Sequence, residues 1–338
     1  MTLSPIGFPA QPRHDLMARL ISQIRSRSDT ARQEAVTGLL ADPAAALGGR
    51  VSELLELERS LAEVAQYREI IGLSQSRASA IQGSLDVLRD LTVDLHVRGQ
   101  TTLESNVGAA GEAISASARQ ALGAAISALN VSFGGRHLFA GDAGDAGAVA
   151  SVEVIMSPSV TVLEAGPTAG AAYANLSVEF TTAGGLFDTT FYTGGSGGAP
   201  ATEVARGERL GFAPKADEAP VRALLRDLAT LAAAFDPQNA IPESERRGLA
   251  ERAIAGLRDN VGGLAGMAAR VGVAEERMAT VQARHQASEA ALNLAYLSLA
   301  GRDQFEAAAD LTQLEAQLET TYLATARLAN LSLANFLR

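Results

Sequence analysis

The segment that decides the fold is the C-terminal one, residues 299–338, which reads LAGRDQFEAAADLTQLEAQLETTYLATARLANLSLANFLR. It contains no proline, and its only glycine is Gly301. Apolar or small residues recur in it at intervals of three and four, which predicts a helix with one apolar stripe. The stripe consists of Leu311, Leu314, Leu318, Thr321, Thr325, Leu328 and Leu331, and Phe336 follows it. Because an isolated helix of this kind is marginal in water, we expect another segment to cover the stripe.

The composition of the 338-residue chain excludes several kinds of site. There is no cysteine, which removes disulfides, thiolate metal ligands and cysteine nucleophiles. The formal net charge is -10, and the arginines are interleaved with carboxylates. We therefore expect no binding to nucleic acid and none to an anionic membrane surface.

The sequence also bears on membranes and export. No run reaches the roughly eighteen apolar residues that a spanning helix needs, so we expect no membrane insertion. Residues 1–12 predict an irregular arm without the basic start and apolar stretch of a cleaved signal peptide. If the chain leaves the cytoplasm, we expect a route other than the general secretory one.

Helical patterns precede and follow the centre of the chain. A weaker one contains Leu16, Leu20 and Ile24 and ends at Asp42, which is placed to cap a new helix with Pro43 in its first turn. Two long seams of strict three-four spacing then predict long coiled-coil or bundle helices. They run from Leu57 through Tyr67, Ile71, Ile81, Leu88 and Leu95, and from Leu257 through Met267, Val271, Met278 and His285 to Leu299.

The two seams are similar in length and flank the centre, which favours an antiparallel pair. Both ends of the chain then lie together, and the stripe of residues 311–331 should pair with the N-terminal helix of the same or a neighbouring subunit. After Leu299 the phase slips, which indicates a local break or a change of partner.

The central region is dense in glycine and has alternating apolar residues, which predicts a small antiparallel β domain. The predicted strands are 152–156, 160–162, 176–180 and 186–192. Residues 183–185 are predicted to be a hairpin connection, and residues 194–198 (GGSGG) a flexible loop or an exposed tip.

The predicted fold class is therefore mainly α with a β insert. A long antiparallel coiled-coil-like helical rod is formed by the N- and C-terminal halves, with a small β-rich domain in the middle. The predicted divisions are a terminal helical axial core (1–45 plus 300–338), a helical rod (46–133 plus 243–299) and a variable β-rich insert with a short helix (134–242).

Signs of catalysis are weak. The histidines are scattered, His285 reads as a register-setting seam residue, and His137 lies in a predicted turn. The only lysine, Lys215, is followed by Ala216, so the chain lacks a phosphate-binding loop of the Lys-Ser/Thr kind. We expect no enzymatic activity, no cofactor and no metal site. An enzyme would require a convergent cluster in the insert, where the candidates are Asp142, Asp145, Glu153 and Glu164.

Four stretches resemble the bacterial flagellar axial proteins of the flagellin superfamily, and most closely the hook–filament junction proteins. The first is Thr37-Gly38 followed by Asp42-Pro43, and the second is residues 135–141, with His137 in place of a tyrosine. In the second, the family pattern matches Gly135, Arg136, Leu138, Phe139 and Gly141. The third is residues 268–272, around Arg270, which is similar to the family's helix start before the last long helix. The fourth is residues 318–337.

The resemblance implies nested terminal helices, a helical rod outside them and an exposed β domain. It also implies export through the flagellar type III apparatus and an extracellular place in the flagellum. The implied partners are further copies of the chain in a helical array, a neighbouring hook-associated protein, flagellin and a cytoplasmic export chaperone. On this interpretation the assembly interface consists of Leu16, Leu20, Ile24, Leu311, Leu314, Leu318, Leu328, Leu331 and Phe336.

Two other structural roles stay open. Flagellin shares the architecture, but its usual terminal patterns, Asn-Gln-x-Pro-like and Ile-Asn-Thr-Asn, do not occur here. A chemoreceptor-like signalling coiled coil would need heptads that continue through the tip and a membrane anchor.

Overall fold

The architecture was obtained as a computed structural model, which describes residues 11–104 and 108–336, with side chains described for 15–104 and 109–327. The chain is mainly α, as the sequence predicts, with a few short antiparallel strands. The helices are α1 (Gln11–Thr37), α2 (Pro43–Leu47), α3 (Val51–Glu104), α4 (Gly108–Leu129), α5 (Val152–Glu164), α6 (Ala169–Thr181), α7 (Ala219–Ala234), α8 (Glu243–Ala300) and α9 (Gln304–Phe336). The strands are β1 (Ser132–Phe133), β2 (Arg136–His137), β3 (Thr202–Ala205) and β4 (Glu208–Leu210).

The chain forms two compact units. The first contains Met1–Ala65 and Gln286–Arg338, and the second contains Gln66–His285. The boundary lies within α3 and α8, so each unit includes part of both helices. The three-part division expected from the sequence stays a prediction.

In the first unit, α1 packs against α9 and runs antiparallel to it. The buried residues of α1, Ile24, Ser28 and Ala31, follow helical spacing along one side of the helix. At the base of the pair, Leu39 forms a β-bridge with Gly301, and the backbone N–H of Arg302 donates to the carbonyl of Gly38 at 2.9 Å. The N-terminal helix therefore partly covers the described part of the C-terminal stripe, residues 311–325, and the break after residue 299 is confirmed, because α8 ends at Ala300 and α9 begins at Gln304.

In the second unit, α3 and α8 form the predicted antiparallel pair. Tyr67 stacks on His285 with ring centroids 5.5 Å apart, Gln75 donates to Gln282 at 3.0 Å, and Gln82 donates to the carbonyl of Ala268 at 2.9 Å. Residues further along α3 thus contact residues earlier in α8, so the two helices are antiparallel. The buried seam residues include Ile71, Ile81, Leu85, Leu88 and Leu95 of α3, and Leu257, Met267, Val271 and Met278 of α8.

The remaining helices of the second unit complete its core. α4 packs against α7, and α5 and α6 pack against each other and against α7. Buried Ser115 links α4 to α7, because its hydroxyl donates to the carbonyl of Leu231 at 2.7 Å and accepts from the backbone N–H of Phe235 at 3.0 Å. The first of these bonds satisfies a carbonyl that the end of α7 would otherwise leave unpaired.

The strands predicted for the central region were wrong. Residues 152–156 and 160–162 belong to α5, residues 176–180 belong to α6, and Phe187–Phe191 forms a π-helical turn. Residues 183–185 join α6 to that turn and are not a hairpin connection. In the part of the chain that the structure describes, the strands form two two-stranded hairpins, β1–β2 and β3–β4.

The spacing of the buried residues explains why α5 and α6 are helices. The buried residues of α5 are Ile155, Met156, Ser159 and Leu163, and those of α6 are Ala169, Ala172, Leu176 and Phe180. Both sets recur with helical spacing, although valines in α5 also alternate in the manner of a strand. The side chain of Thr168 additionally caps α6 by accepting from the N–H of Ala171 at 3.2 Å.

Candidate assembly surface and structural motifs

The stretch at residues 135–141 begins in the β1–β2 hairpin, and the prediction that His137 lies in a turn was wrong, because His137 belongs to strand β2 and pairs with Ser132. Gly134 and Gly135 have positive φ angles of 59° and 78° and join β1 to β2, which suits a tight hairpin. The following residues Leu138 and Phe139 are buried in the core. The motif therefore directs the chain out of α4 and anchors it through two apolar side chains.

The glycine-rich loop at residues 194–198 is fastened to this motif. The N–H of Gly195 donates to the carbonyl of Ala140 at 2.8 Å, and the N–H of Gly197 donates to the carboxylate of Asp142 at 3.1 Å. Lys215 donates to the carbonyl of Ser196 at 3.0 Å and forms an ion pair with Asp217 at 2.8 Å. The segment is a loop, as predicted, and these bonds tie it to the rest of the unit.

Replacing Gly141 by alanine should destabilise this junction. Gly141 has a φ of +65°, and an added Cβ would overlap the carbonyl oxygen of Gly197. Gly134 is the matched control, because it has a φ of +59° and no atom within 4 Å of an added Cβ. We expect Gly134→Ala to lose about 1 kcal/mol of unfolding free energy and Gly141→Ala about 2 kcal/mol or more, measured by urea denaturation. Equal losses would mean that the contact with Gly197 is unimportant.

The predicted interface residues of the terminal helices fall into three groups, namely those in the α1–α9 contact, those that are exposed, and those whose side chains are not described. Ile24 is buried, and Leu311, Leu314 and Leu318 are half-buried along the inner side of α9, where α1 packs. Leu16 and Leu20 of α1 stay exposed. The side chains of Leu328, Leu331 and Phe336 lie outside the described residues. That these residues make contacts between subunits stays a prediction.

Polar contacts flank the α1–α9 pair. Arg32 forms an ion pair with Glu315 at 3.3 Å, and the guanidinium of Arg25 lies over the ring of Tyr322, 5.6 Å from its centroid. Exposed pairs of this kind contribute little to stability, but their positions fix which residues of the two helices face each other.

The remaining motif residues have identifiable structural roles. The carboxylate of Asp42 accepts from the N–H of Ala45 at 3.0 Å and caps α2, with Pro43 as its first residue, as predicted. Arg270 forms an ion pair with Glu218, which immediately precedes α7. The expectation that Arg270 marks a helix start was wrong, because α8 continues on both sides of it.

A buried polar cluster was missed by the sequence analysis. Arg226 donates to both carboxylate oxygens of Asp227, at 2.7 and 3.0 Å, and the hydroxyl of Tyr173 donates to it at 2.8 Å. Burial raises the pKa of Asp227 to about 6, although the bonds from Arg226 and Tyr173 oppose this rise. Burial likewise raises the pKa of Tyr173. The three residues are not linked by any periodicity, so only the three-dimensional structure reveals the cluster.

The raised pKa makes the stability of the second unit depend on pH. Protonated Asp227 contributes to the free energy of unfolding. This contribution is fully present below about pH 3.8, the ordinary pKa of an aspartate, and is lost as the pH rises to about 6. Between pH 4 and pH 7 we expect wild type to lose about 2 kcal/mol of unfolding free energy relative to Asp227→Asn. Urea denaturation of both proteins at several pH values measures this difference, and a constant difference would contradict the assignment.

The surroundings of this cluster offer little for catalysis. An open cleft of about 440 Å³ lies beside it, lined by Arg226, Arg252, Asp259 and Asn260 among others. Among the described residues, no group of three or more histidines and carboxylates is arranged to hold a metal ion. The acidic candidates of the insert do not act together, since Asp142 binds the glycine-rich loop and Glu164 accepts from the N–H of Ala240. None of the helices, over the residues described, is long and apolar enough to cross a membrane.

Comparison with known proteins gives a likeness in structure. No protein-family model matches the chain, and no curated protein matches it in sequence. A protein from Vibrio parahaemolyticus described as a flagellar hook-associated protein matches with a TM-score of 0.50 and 13% identity, over 72% of this chain and 94% of that one. FlgL from Bacillus cereus matches with a TM-score of 0.52 and 15% identity, over 72% of this chain and 99% of that one.

The chain therefore has the fold of flagellar hook-associated proteins. Among these, the fold is shared with FlgL of Bacillus cereus over almost the whole of that chain. The resemblance seen in the sequence is thus confirmed at the level of the fold.

Proposed function

We propose that the chain is a structural component of the bacterial flagellum that joins the hook to the filament. The observation that carries this proposal is the fold, shared with two flagellar proteins over 94% and 99% of their lengths. The sequence of residues 318–337, which resembles the C-terminus of junction proteins, favours this role over that of other hook-associated proteins.

In this role, the terminal helices mediate the assembly of the chain into a helical array. A head-to-tail contact whose rotation does not close produces an open helical array. The α1–α9 pair forms the axial part of that array, and a junction protein presents one surface to the hook side and another to the filament side. Its partners are further copies of itself, a neighbouring hook-associated protein and flagellin.

The same role includes export. The chain passes through the flagellar type III apparatus without a cleaved signal peptide, is held by a cytoplasmic chaperone beforehand, and works outside the cell. Support for this comes from the resemblance of residues 135–141 and 318–337 to flagellar axial proteins.

Flagellin is the second candidate, because it shares the architecture. Deleting the gene separates the two roles. Bare hooks with unpolymerised flagellin in the medium are expected for a junction protein, since flagellin is then made and exported but cannot polymerise on the hook. Bare hooks without flagellin in the medium would identify the chain as flagellin. Unchanged filaments would contradict both roles and favour a signalling coiled coil.

A further inference from the structure

The open cleft beside the Tyr173–Asp227 contact is lined by two arginines from different helices. Arg226 of α7 lines it with a side chain that is 14% exposed, and Arg252 of α8 lines the same cleft. Small residues make up much of the remaining lining, namely Ala223, Ala255 and Gly256. Because the cleft of about 440 Å³ offers little apolar surface, it fits a compact polar ligand better than an apolar one.

Arg252 has no hydrogen bond or ion pair with any other residue that the structure describes. Two carboxylates line the adjoining part of the surface with it, and both are engaged elsewhere. Glu251 pairs with Arg247 at 2.9 Å. Glu245 accepts from the backbone N–H of Ala169 at the start of α6. The N–H donors of Arg252 are therefore unused beside an open cleft.

The charge of Arg226 is balanced by one carboxylate. Arg226 donates to both oxygens of Asp227, and its other described hydrogen bond is a 3.4 Å contact with the hydroxyl of Ser177. Asp259 also lines the cleft, but it pairs with Arg258 at 2.9 Å. When Asp227 takes up a proton, Arg226 loses its counterion while its guanidinium stays largely buried, which is unfavourable.

The surroundings of Asp227 favour this proton uptake in mild acid. The titratable and charged groups that face it from the helices packed around it are Tyr173 of α6, Arg226 of α7 and Asp259 of α8. Gly256 of α8 makes room for the carboxylate, because an added Cβ there would overlap it. Burial raises the pKa of Asp227 to about 6, so this group changes charge at a pH where exposed aspartates stay ionised.

We propose that the cleft binds a small tetrahedral dianion, of the sulfate or phosphate kind, between Arg226 and Arg252 once Asp227 is protonated. The anion replaces the carboxylate as the counterion of Arg226, and the planar fork of a guanidinium matches the oxygen spacing of such anions. By linkage, the bound anion in turn favours proton uptake. The site connects α7 to α8 in acidic solution and does not depend on the proposed role in the flagellum.

Titration calorimetry of the full chain with sodium sulfate tests the site, because sulfate stays a dianion in both mild acid and mild base. Sodium chloride keeps the ionic strength constant, and the buffer contains no other dianion. We expect sulfate to bind at least about tenfold more tightly at about pH 5 than at about pH 8. With a pKa of about 6, the protonated fraction of Asp227 rises from about 1% to about 90% over this range, so the ratio can approach about 90.

Three variants make the test specific. Arg252→Gln should lose the binding at the lower pH, and it should stay folded because Arg252 is exposed. Arg89→Gln is the matched control, since Arg89 is an exposed arginine of α3 outside the cleft, and it should bind as wild type does. Asp227→Asn should bind sulfate equally at both pH values, because an amide does not titrate.

Three results would overturn the proposal. They are an absence of sulfate binding at the lower pH, an equal affinity of wild type at both pH values, and an equal loss of binding in the two arginine variants. Circular dichroism verifies that each variant is folded. If Asp227→Asn does not fold, the comparison of Arg252→Gln with Arg89→Gln still decides, since both changes are on the surface.

Discussion

Cells that carry Leu318→Asp in place of the wild-type protein are expected to have hooks but no filaments. Leu318 lies on the inner stripe of α9, half-buried where α1 packs. A carboxylate at this position must either lose its hydration, at a cost of several kcal/mol, or separate the two helices. Either outcome removes the paired terminal helices that the proposed array requires. The variant should therefore not be incorporated into the flagellum.

Electron microscopy of the cells and immunoblotting of the medium measure the result. We expect bare hooks with the variant still in the medium, because the substitution acts on the α1–α9 pair and leaves the irregular N-terminal arm, residues 1–12, unchanged. Gln313→Asp is the matched control, since it places the same charge on an exposed part of the same helix, away from the stripe that α1 contacts. Control cells should have normal filaments. Normal filaments in the Leu318→Asp cells would contradict the assembly role of the α1–α9 pair.

The long helices could be predicted because their burial follows a local rule. Ile71, Leu88 and Leu95 of α3 are each almost fully buried, and each is separated from the next seam residue by three or four positions. A helix converts such spacing directly into a face. The antiparallel pairing followed from the similar lengths of the seams, so the contact between α3 and α8 needed no three-dimensional information.

The central region could not be predicted in the same way. α5 contains several valines, which are common in strands, and also carries a proline, Pro158, inside the helix. Packing of Ile155 and Leu163 in the core outweighs these local preferences. The Tyr173–Asp227 contact is likewise invisible in the sequence, because it joins residues of α6 and α7 that share no repeat.

The candidate site was predictable in part. The sequence identified the apolar positions of the terminal helices, but it could not assign a partner to each face. The structure makes that assignment for Ile24 and Leu318, which face the inside of the α1–α9 pair, and it leaves Leu20 uncovered. Periodicity gives the number and position of apolar faces, whereas only packing reveals which of them the chain itself satisfies.

Replacing Leu88 by alanine should cause a large loss of stability in the second unit. Leu88 is fully buried in the seam of α3, so the change removes apolar contacts and leaves a cavity. We expect a loss of about 2–5 kcal/mol in the free energy of unfolding. Urea denaturation followed by circular dichroism measures it as a lower midpoint.

The neighbouring Val87→Ala substitution makes this test specific. Val87 is 44% exposed on the same turn of the same helix, and alanine favours a helix more than valine does. We therefore expect the control to change stability by less than about 0.5 kcal/mol. Because the two positions differ in burial while their helical context is the same, the gap between the variants reports the packing of the seam. Similar losses for both would mean that the α3 seam does not form the core of this unit.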